Sequence, residues 1–401
     1  MKSTGIVAEY NPFHNGHQYQ IEQVRQQLQP DVVIAVMSGN FLQRGEPAIV
    51  DKWTRTQMAL ASGVDLVVEL PAIFALQPAD YFARGAIQTL GALNIDSLCF
   101  GVEEGTASDF LGGAQWMVEN EGVIADAIKQ STDTHLPYAQ QMEQIINDLA
   151  PEFPLHLNSP NNQLGFAYAK EVVRNGLMDQ IELFPLARKN SGYHDREITA
   201  NNEIASATAI RLAMAENKKI SNVIPEAAYP YLVDVKNQMV TWEDYFPLLK
   251  YQLLVQSEES LRGIYQMTEG LENRLKAAAH EALHFTELMD KIKTKRYTRT
   301  RLQRLLSYVL LQWNNEDVLA AMDEIQAIRV LGFSKAGQSY LREIKHSIKV
   351  PLIVNVNKET KELVPFDVSA GEIYRLGKNK LISRQDFGQS PVKLIDRMPA
   401  R

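Results

Sequence analysis

Glu9-Tyr10-Asn11-Pro12-Phe13-His14-Asn15-Gly16-His17 stands at the junction that decides the fold. Before it, Gly5 to Glu9 is a short apolar run. After it, Ile21, Val24 and Leu28 share one face of a helix predicted over 17–28. The alternation continues outward. Val32 to Met37 is a continuous apolar run of strand length, a helical stretch follows near 52–62, and Leu66 to Leu70 reads as a third strand. A helix around 79–92 then leads into Ser97 to Phe100. Strands that are apolar on both faces and separated by helices imply a parallel sheet covered on both sides, an α/β fold. Further on, 161–175 reads as helix, Ile181 to Leu186 as another strand, and Ser206 as the cap of a helix running to about Glu216. Beyond 217 the character changes. Residues 242–313 read as consecutive helices, and a mixed tail carries apolar runs at Ala327 to Leu331 and Val350 to Val354. The expected division is therefore a Rossmann-like sheet domain over 1–216 and a mainly helical domain over 217–401.

With 401 residues, 45% of them apolar and 22% charged, the chain has the profile of a globular protein with room for two cores. Its one cysteine, Cys99, excludes an internal disulfide and any multi-cysteine metal site; its apolar neighbours make it a buried thiol. The first residues pass directly into the first strand without a signal-peptide core, and no window approaches a membrane span. A cytoplasmic protein without a membrane partner is expected.

A helix that starts at the carboxyl end of a strand in such a sheet offers free N–H groups and positive partial charge to a phosphate. His14 and His17, three residues apart, lie one above the other across the first turn, so both imidazoles can reach one polyphosphate. Gly16 allows close approach of a ligand. Taken alone, the histidine pair also fits half of a metal site or two surface side chains. A second anion clamp is read in Ser206-Ala207-Thr208-Ala209-Ile210-Arg211, with Ser206 and Thr208 as hydroxyl donors and Arg211 as a forked cation. Alone it also reads as an ordinary helix cap. The stretch 291–304 carries seven positive charges and no negative one, in a chain of net charge −7. Read as a helix, such a local reversal is the electrostatic footprint of a polyanion, and Tyr297 within it could stack on a base; it also fits a solvated helix face paired with acidic neighbours.

His14-Asn15-Gly16-His17 resembles the HxGH motif of the nucleotidylyltransferase superfamily, and Ser206 to Arg211 resembles its later Ser-x-Thr-x-x-Arg phosphate motif. More narrowly, Glu9 to His17, Ser38 to Ala48, Val67 to Pro71, Phe100 to Glu103, Pro160 to Gly165 and Arg329 to Phe333 together resemble the bacterial tRNA(Met) cytidine acetate ligase family. The likeness runs through almost the whole chain. It departs from the wider superfamily at Asn11, where an Asp is common, and so weakens any transfer from the coenzyme adenylyltransferases.

The resemblance implies an ATP-dependent, AMP-forming ligase. It would join acetate to ATP as acetyl-adenylate and pass the acetyl group to N4 of the wobble cytidine of elongator tRNA(Met). It places ATP along Val7, Ala8, Glu9, Tyr10, Asn11, Pro12, Phe13, His14, Asn15, Gly16, His17, Gln18, Tyr19 and Gln20, with His14 and His17 as the catalytic pair on the phosphates. Gly101, Asn162 and Arg188 complete the nucleotide contacts, with Asn161 competing for the role of Asn162; Ser206, Thr208 and Arg211 hold phosphate. No protein metal site is expected, and Mg²⁺ should travel with ATP. Ser38 to Ala48 would cover the carboxylate and α-phosphate through Gln43, Arg44 and Glu46, with Lys52 or Arg55 adding charge. Lys291, Lys293, Lys295, Arg296, Arg299, Arg301 and Arg304 would bind tRNA, and Arg329, Lys335 and Lys345 would extend that surface. Two other readings compete: a coenzyme-type adenylyltransferase acting on a small phosphorylated substrate, and a non-catalytic RNA-binding protein.

Overall fold

The computed structural model describes all residues except 131–137, 158, 189–202, 269, 379–382 and 395–401, and the side chains of 138–140. Eight strands form one sheet: β1 Ser3–Ala8, β2 Val32–Ser38, β3 Leu66–Leu70, β4 Ser97–Val102, β5 Glu182–Ala187, β6 Ile328–Ser334, β7 Leu352–Ile353 and β8 Val392–Leu394. Their order is β5-β4-β1-β2-β3-β6-β7, with β8 also paired to β6. The first five are parallel to one another, and β6 runs antiparallel to β3. The expected α/β architecture with a parallel sheet is what the chain adopts.

The apolar runs follow from coverage of both faces. Along β2, Val32, Ile34 and Val36 enter one hydrophobic cluster while Val33, Ala35 and Met37 enter the other. Alternate residues point to opposite faces, so a strand buried on both sides reads as unbroken hydrophobic sequence. Cys99, on β4, is buried as expected, and burial pushes its thiol up to about 12.

The segment beyond 216 supplies helices Trp242–Val255, Leu271–Glu281, Phe285–Ile292 and Arg299–Leu311, but also β6, β7 and β8. The five parallel strands alone would leave β3 as an open edge, with unpaired backbone groups. β6 fills that edge, so the sheet and both large core clusters pass across the expected boundary.

From β1 the chain moves through β2 to β3 on one side, then returns to place β4 on the other side of β1. Between β1 and β4 lies a topological switch point, the crevice where open α/β sheets hold ligands beyond the strand carboxyl ends. The turn 9–14, Gly101 at the end of β4 and Arg188 after β5 all meet there.

Candidate active site

Helix Asn15–Gln27 starts at the mouth of this crevice, with His14 as its N-cap in an extended conformation. The imidazoles perform the capping. His14 Nδ1 accepts the Gly16 N–H at 3.0 Å, and His17 Nδ1 accepts the His14 N–H at 3.2 Å. With each Nδ1 committed as an acceptor, the proton of the neutral ring sits on Nε2, which is left as a donor. The rings stack with centroids 3.8 Å apart, and Tyr10 packs its ring edge-on to His17 at 4.8 Å. Burial, followed by the charges of Arg188 and Arg211, pushes His14 down to about 3; burial and then His14 hold His17 well below its ordinary value. The pair is neutral at pH 7. Gly16 has a further role beyond the expected one: a Cβ there would lie 2.8 Å from His14 Cε1 and displace the capping ring.

Two cavities open on either side of His17. The smaller, about 130 Å³, is lined by His14, Gly16, His17, Tyr19, Gln20, Gly101, Arg188, Ile204 and the end of β5 at Leu186 and Ala187. The larger, about 540 Å³, is lined by Val7, Ala8, Glu9, Tyr10, Asn11, Gln43, Arg44, Phe100, Asn161, Tyr168, Arg211 and Thr300, among others. His17, Gln20 and Gly101 belong to both. A ligand longer than either cavity, such as a nucleotide joined to a second group, would pass His17.

Several expected residues stand elsewhere. Phe13 is buried under the turn, and Asn15 spends its side-chain N–H groups on Glu203 O at 2.7 Å and Asn222 O at 3.0 Å. Gln18 donates to Glu22 at 3.0 Å on the helix surface. Neither Pro12 nor these three lines either cavity. Asn162 is fully buried, and its Oδ1 accepts the Glu103 N–H at 3.0 Å, so it shapes the loop after β4 rather than facing a ligand. Its neighbour Asn161 lines the larger cavity and accepts from Arg188 Nη1 at 3.1 Å. Arg211 reaches the cavity, donating to Asn11 O at 2.9 Å and pairing with Glu46 at 3.4 Å. Ser206 caps helix Ala207–Ala215 by accepting the Ala209 N–H at 3.1 Å, and Thr208 accepts from Arg211 Nη2 at 3.4 Å; neither residue lines either of these two cavities.

The loop 38–48 is a tight hairpin over the larger cavity, closed by Leu42 N–H to Glu46 O at 3.0 Å and Ala48 N–H to Asn40 O at 2.9 Å. Gln43 and Arg44 reach the cavity as expected. Lys52 and Arg55 do not. Arg55 is fully buried and ties three strand-end carbonyls, those of Glu9 (2.7 Å), Ser38 (2.8 Å) and Gly39. Lys52 is fully buried between Glu69 at 2.7 Å and Asp386 at 2.7 Å. Burial opposes its charge, yet Asp386 and Glu69 together hold its pKa above the ordinary value. Both cations are structural because a charge this deep needs partners of its own.

The basic stretch is not one helix. It comprises the end of helix Phe285–Ile292, a loop, and the start of helix Arg299–Leu311, capped by Thr298 accepting the Arg301 N–H at 3.2 Å. Tyr297 is buried with Arg301 over its ring at 4.6 Å, so it is not free to stack on a base. Lys291 pairs with Glu281 at 2.7 Å, and Lys293 donates to the carbonyls of Thr294 and Tyr297, each at 2.6 Å. Arg304 is half-buried and donates to Gln43 O at 3.2 Å. Lys295, Arg296 and Arg299 are exposed. Arg329 is buried over Trp53, and Lys335 follows β6 at the amino end of β3, where Ser334 N–H meets Asp65 O at 2.8 Å, away from the strand carboxyl ends that form the crevice. Those two do not extend the surface of 295–301.

Sequence reasoning overlooked Phe82, Leu164, Tyr168 and Thr300 as cavity residues. The first three read as helix core, with nothing in their spacing to aim them at a ligand. Thr300 was hidden among charges, although Thr298 beside it carries a cap signal. Leu186 and Ala187 were findable as the carboxyl end of a strand in a parallel sheet.

The model of the HIGH Nucleotidyl Transferase family matches residues 1–389 of this chain. A tRNA(Met) cytidine acetate ligase of Bacillus licheniformis is 40% identical over 407 residues, covering 98% of this chain and 97% of its own. One of Listeria welshimeri is 42% identical over 381 residues, covering 94% and 95%. Among solved structures, Thermotoga maritima TmcAL in its apo form superposes with a TM-score of 0.91 at 28% identity, covering 99% of this chain and 100% of that one. The same protein bound with alpha-thio ATP gives 0.88 at 28% identity and the same coverage. With the histidine-capped crevice and a match along the whole chain, the protein belongs to the HIGH nucleotidyl transferase family and, within it, to the tRNA(Met) cytidine acetate ligases.

Proposed function

We propose that this protein activates acetate with ATP and transfers the acetyl group to N4 of the wobble cytidine of elongator tRNA(Met). In the first step an acetate oxygen attacks the α-phosphorus, acetyl-adenylate forms and pyrophosphate leaves. The Nε2–H groups of His14 and His17 donate to phosphate oxygens as charge builds on them, and Arg44, Arg188 and Arg211 offset the remaining charge. Mg²⁺ enters with the triphosphate; among the described residues no cluster of His, Cys, Asp or Glu could hold a metal. The second step brings the tRNA base to the same adenylate.

One observation carries the reading. Thr300, inside the basic stretch, lines the same cavity as His17. A polyanion lying on Lys295, Arg296 and Arg299 would therefore have its bound end beside the phosphate site. In this reading residues 1–216 hold ATP and adenylate while 217–401 hold the tRNA, a division of roles laid over one continuous sheet. No helix among the described residues is long and apolar enough to cross a membrane. The reading places the enzyme in the cytoplasm, where it meets its tRNA.

The test is exchange of labelled pyrophosphate into ATP in the absence of tRNA. Exchange that depends on acetate is the expected result. Exchange indifferent to any carboxylate would contradict the ligase reading.

A further inference from the structure

The larger cavity holds a carboxylate, expected along the ATP stretch, that the adenylation step above gives no role. Glu9 directly follows β1, its Oε1 accepts the Gln43 N–H at 2.8 Å, and among the described residues its second oxygen has no hydrogen bond. Phe82, Phe100 and Tyr168 line the same cavity, and the rings of Phe100 and Tyr168 stand 6.0 Å apart at 65°. All three are buried in the cavity wall, and an apolar wall beside a single carboxylate suits a flat aromatic ring that carries an exocyclic amino donor. Cytosine is such a ring, and a carboxylate is the side chain that accepts from its N4 amino group. The smaller cavity beyond His17, walled by Gly101 and the strand-end backbone at Ala187, remains for the adenosine.

We propose that Glu9, with Phe100 and Tyr168, seats the acceptor cytosine and takes the N4 proton as the acetyl group is transferred. The proposal rests on the acetate-ligase reading above. The N4 lone pair attacks the acetyl carbonyl carbon, and the bond from that carbon to the adenylate oxygen breaks. AMP leaves with the electron pair, and the proton lost from N4 passes to the Glu9 carboxylate. Acetyl-adenylate and cytidine thus become N4-acetylcytidine, AMP and one proton. The N4 lone pair is delocalised into the ring, so the C–N bond forms only as the proton departs. A positioned base speeds such a step by roughly 10²–10⁴-fold. Desolvation raises the Glu9 carboxyl above its ordinary range, against the lowering effect of the Gln43 N–H, and this makes it the stronger base.

Glu9→Gln tests the assignment, because the amide keeps the shape and can still accept from Gln43. Two rates are compared in wild type and variant: acetate-dependent pyrophosphate exchange, and single-turnover transfer from preformed acetyl-adenylate to tRNA across pH. We expect transfer to fall by roughly 10²–10⁴-fold, far more than exchange, and the acid limb of the wild-type transfer profile to vanish. Glu9→Asp should recover part of the transfer rate. Equal loss of both steps, or transfer with the acid limb unchanged, would overturn the role of Glu9. Wild type that exchanges pyrophosphate without acetate would instead overturn the reading beneath it.

Discussion

His14 and His17 show what a residue pair can and cannot disclose in sequence. Their spacing, with Gly16 between them, places two imidazoles on one helix end, and the structure finds both at the crevice. Invisible in the spacing is that each Nδ1 is consumed by a backbone N–H, which leaves Nε2–H as the one ring donor. The same burial has a thermodynamic consequence. The unfolded chain binds a proton at His14 near pH 6.5, whereas the folded chain binds one only near 3. Between those values the unfolded state holds more protons, so stability is fullest above 6.5 and is lost as pH falls toward 3. The slope from this group is up to about 1.4 kcal/mol per pH unit. Urea unfolding between pH 7.5 and 5 should show it, and His14→Gln should flatten it; equal slopes in both proteins would disprove a neutral buried His14. Asn162 and Lys52 mark the opposite case. A sequence displays their polarity and not their partners, and each has spent its side chain on the protein itself.

Helix Arg299–Leu311 is the element whose meaning changed most between sequence and structure. Its charge was legible; its beginning was not, because the run of Lys and Arg masked the Thr298 cap. Arg299 and Arg301 occupy its first turn, where cations oppose the helix dipole. That unfavourable placement makes sense if an anion neutralises it. Charge reversal of Lys295 and Arg296 together should weaken tRNA binding, and the dependence of log affinity on log salt should become shallower by about two phosphate contacts. Filter binding at several salt concentrations measures both. An unchanged salt slope would remove these side chains from the tRNA path, and the pyrophosphate exchange rate in the same variant reports whether the adenylating site is intact.

Across the whole molecule, long-range closure is what sequence concealed. The parallel core was readable from apolar runs, since β1 to β4 are buried on both faces, whereas β5, at the edge, is buried only in part. The added strand β6 and the tail were not, because their partners lie hundreds of residues away. Asp386 meets Lys52, Trp53 Nε1 donates to Gln385 O at 2.8 Å, and burial with the Glu69 charge pushes Asp367 up to about 8. The tail is thus stitched beneath the helix that Arg55 uses to hold the loop over the site. Lys52→Met would leave Glu69 and Asp386 buried without their cation, and such losses cost about 3–5 kcal/mol. Equilibrium unfolding should record that loss; a variant as stable as wild type would mean the cluster contributes nothing to closure.

The most direct test of the account is a crystal structure of this protein with a non-hydrolysable ATP analogue. It should show phosphate oxygens about 2.7–3.2 Å from Nε2 of His14 and His17, with the base on the Gly101 side of the crevice. A triphosphate bound elsewhere, or a crevice left empty at saturating analogue with both rings unmoved, would contradict it.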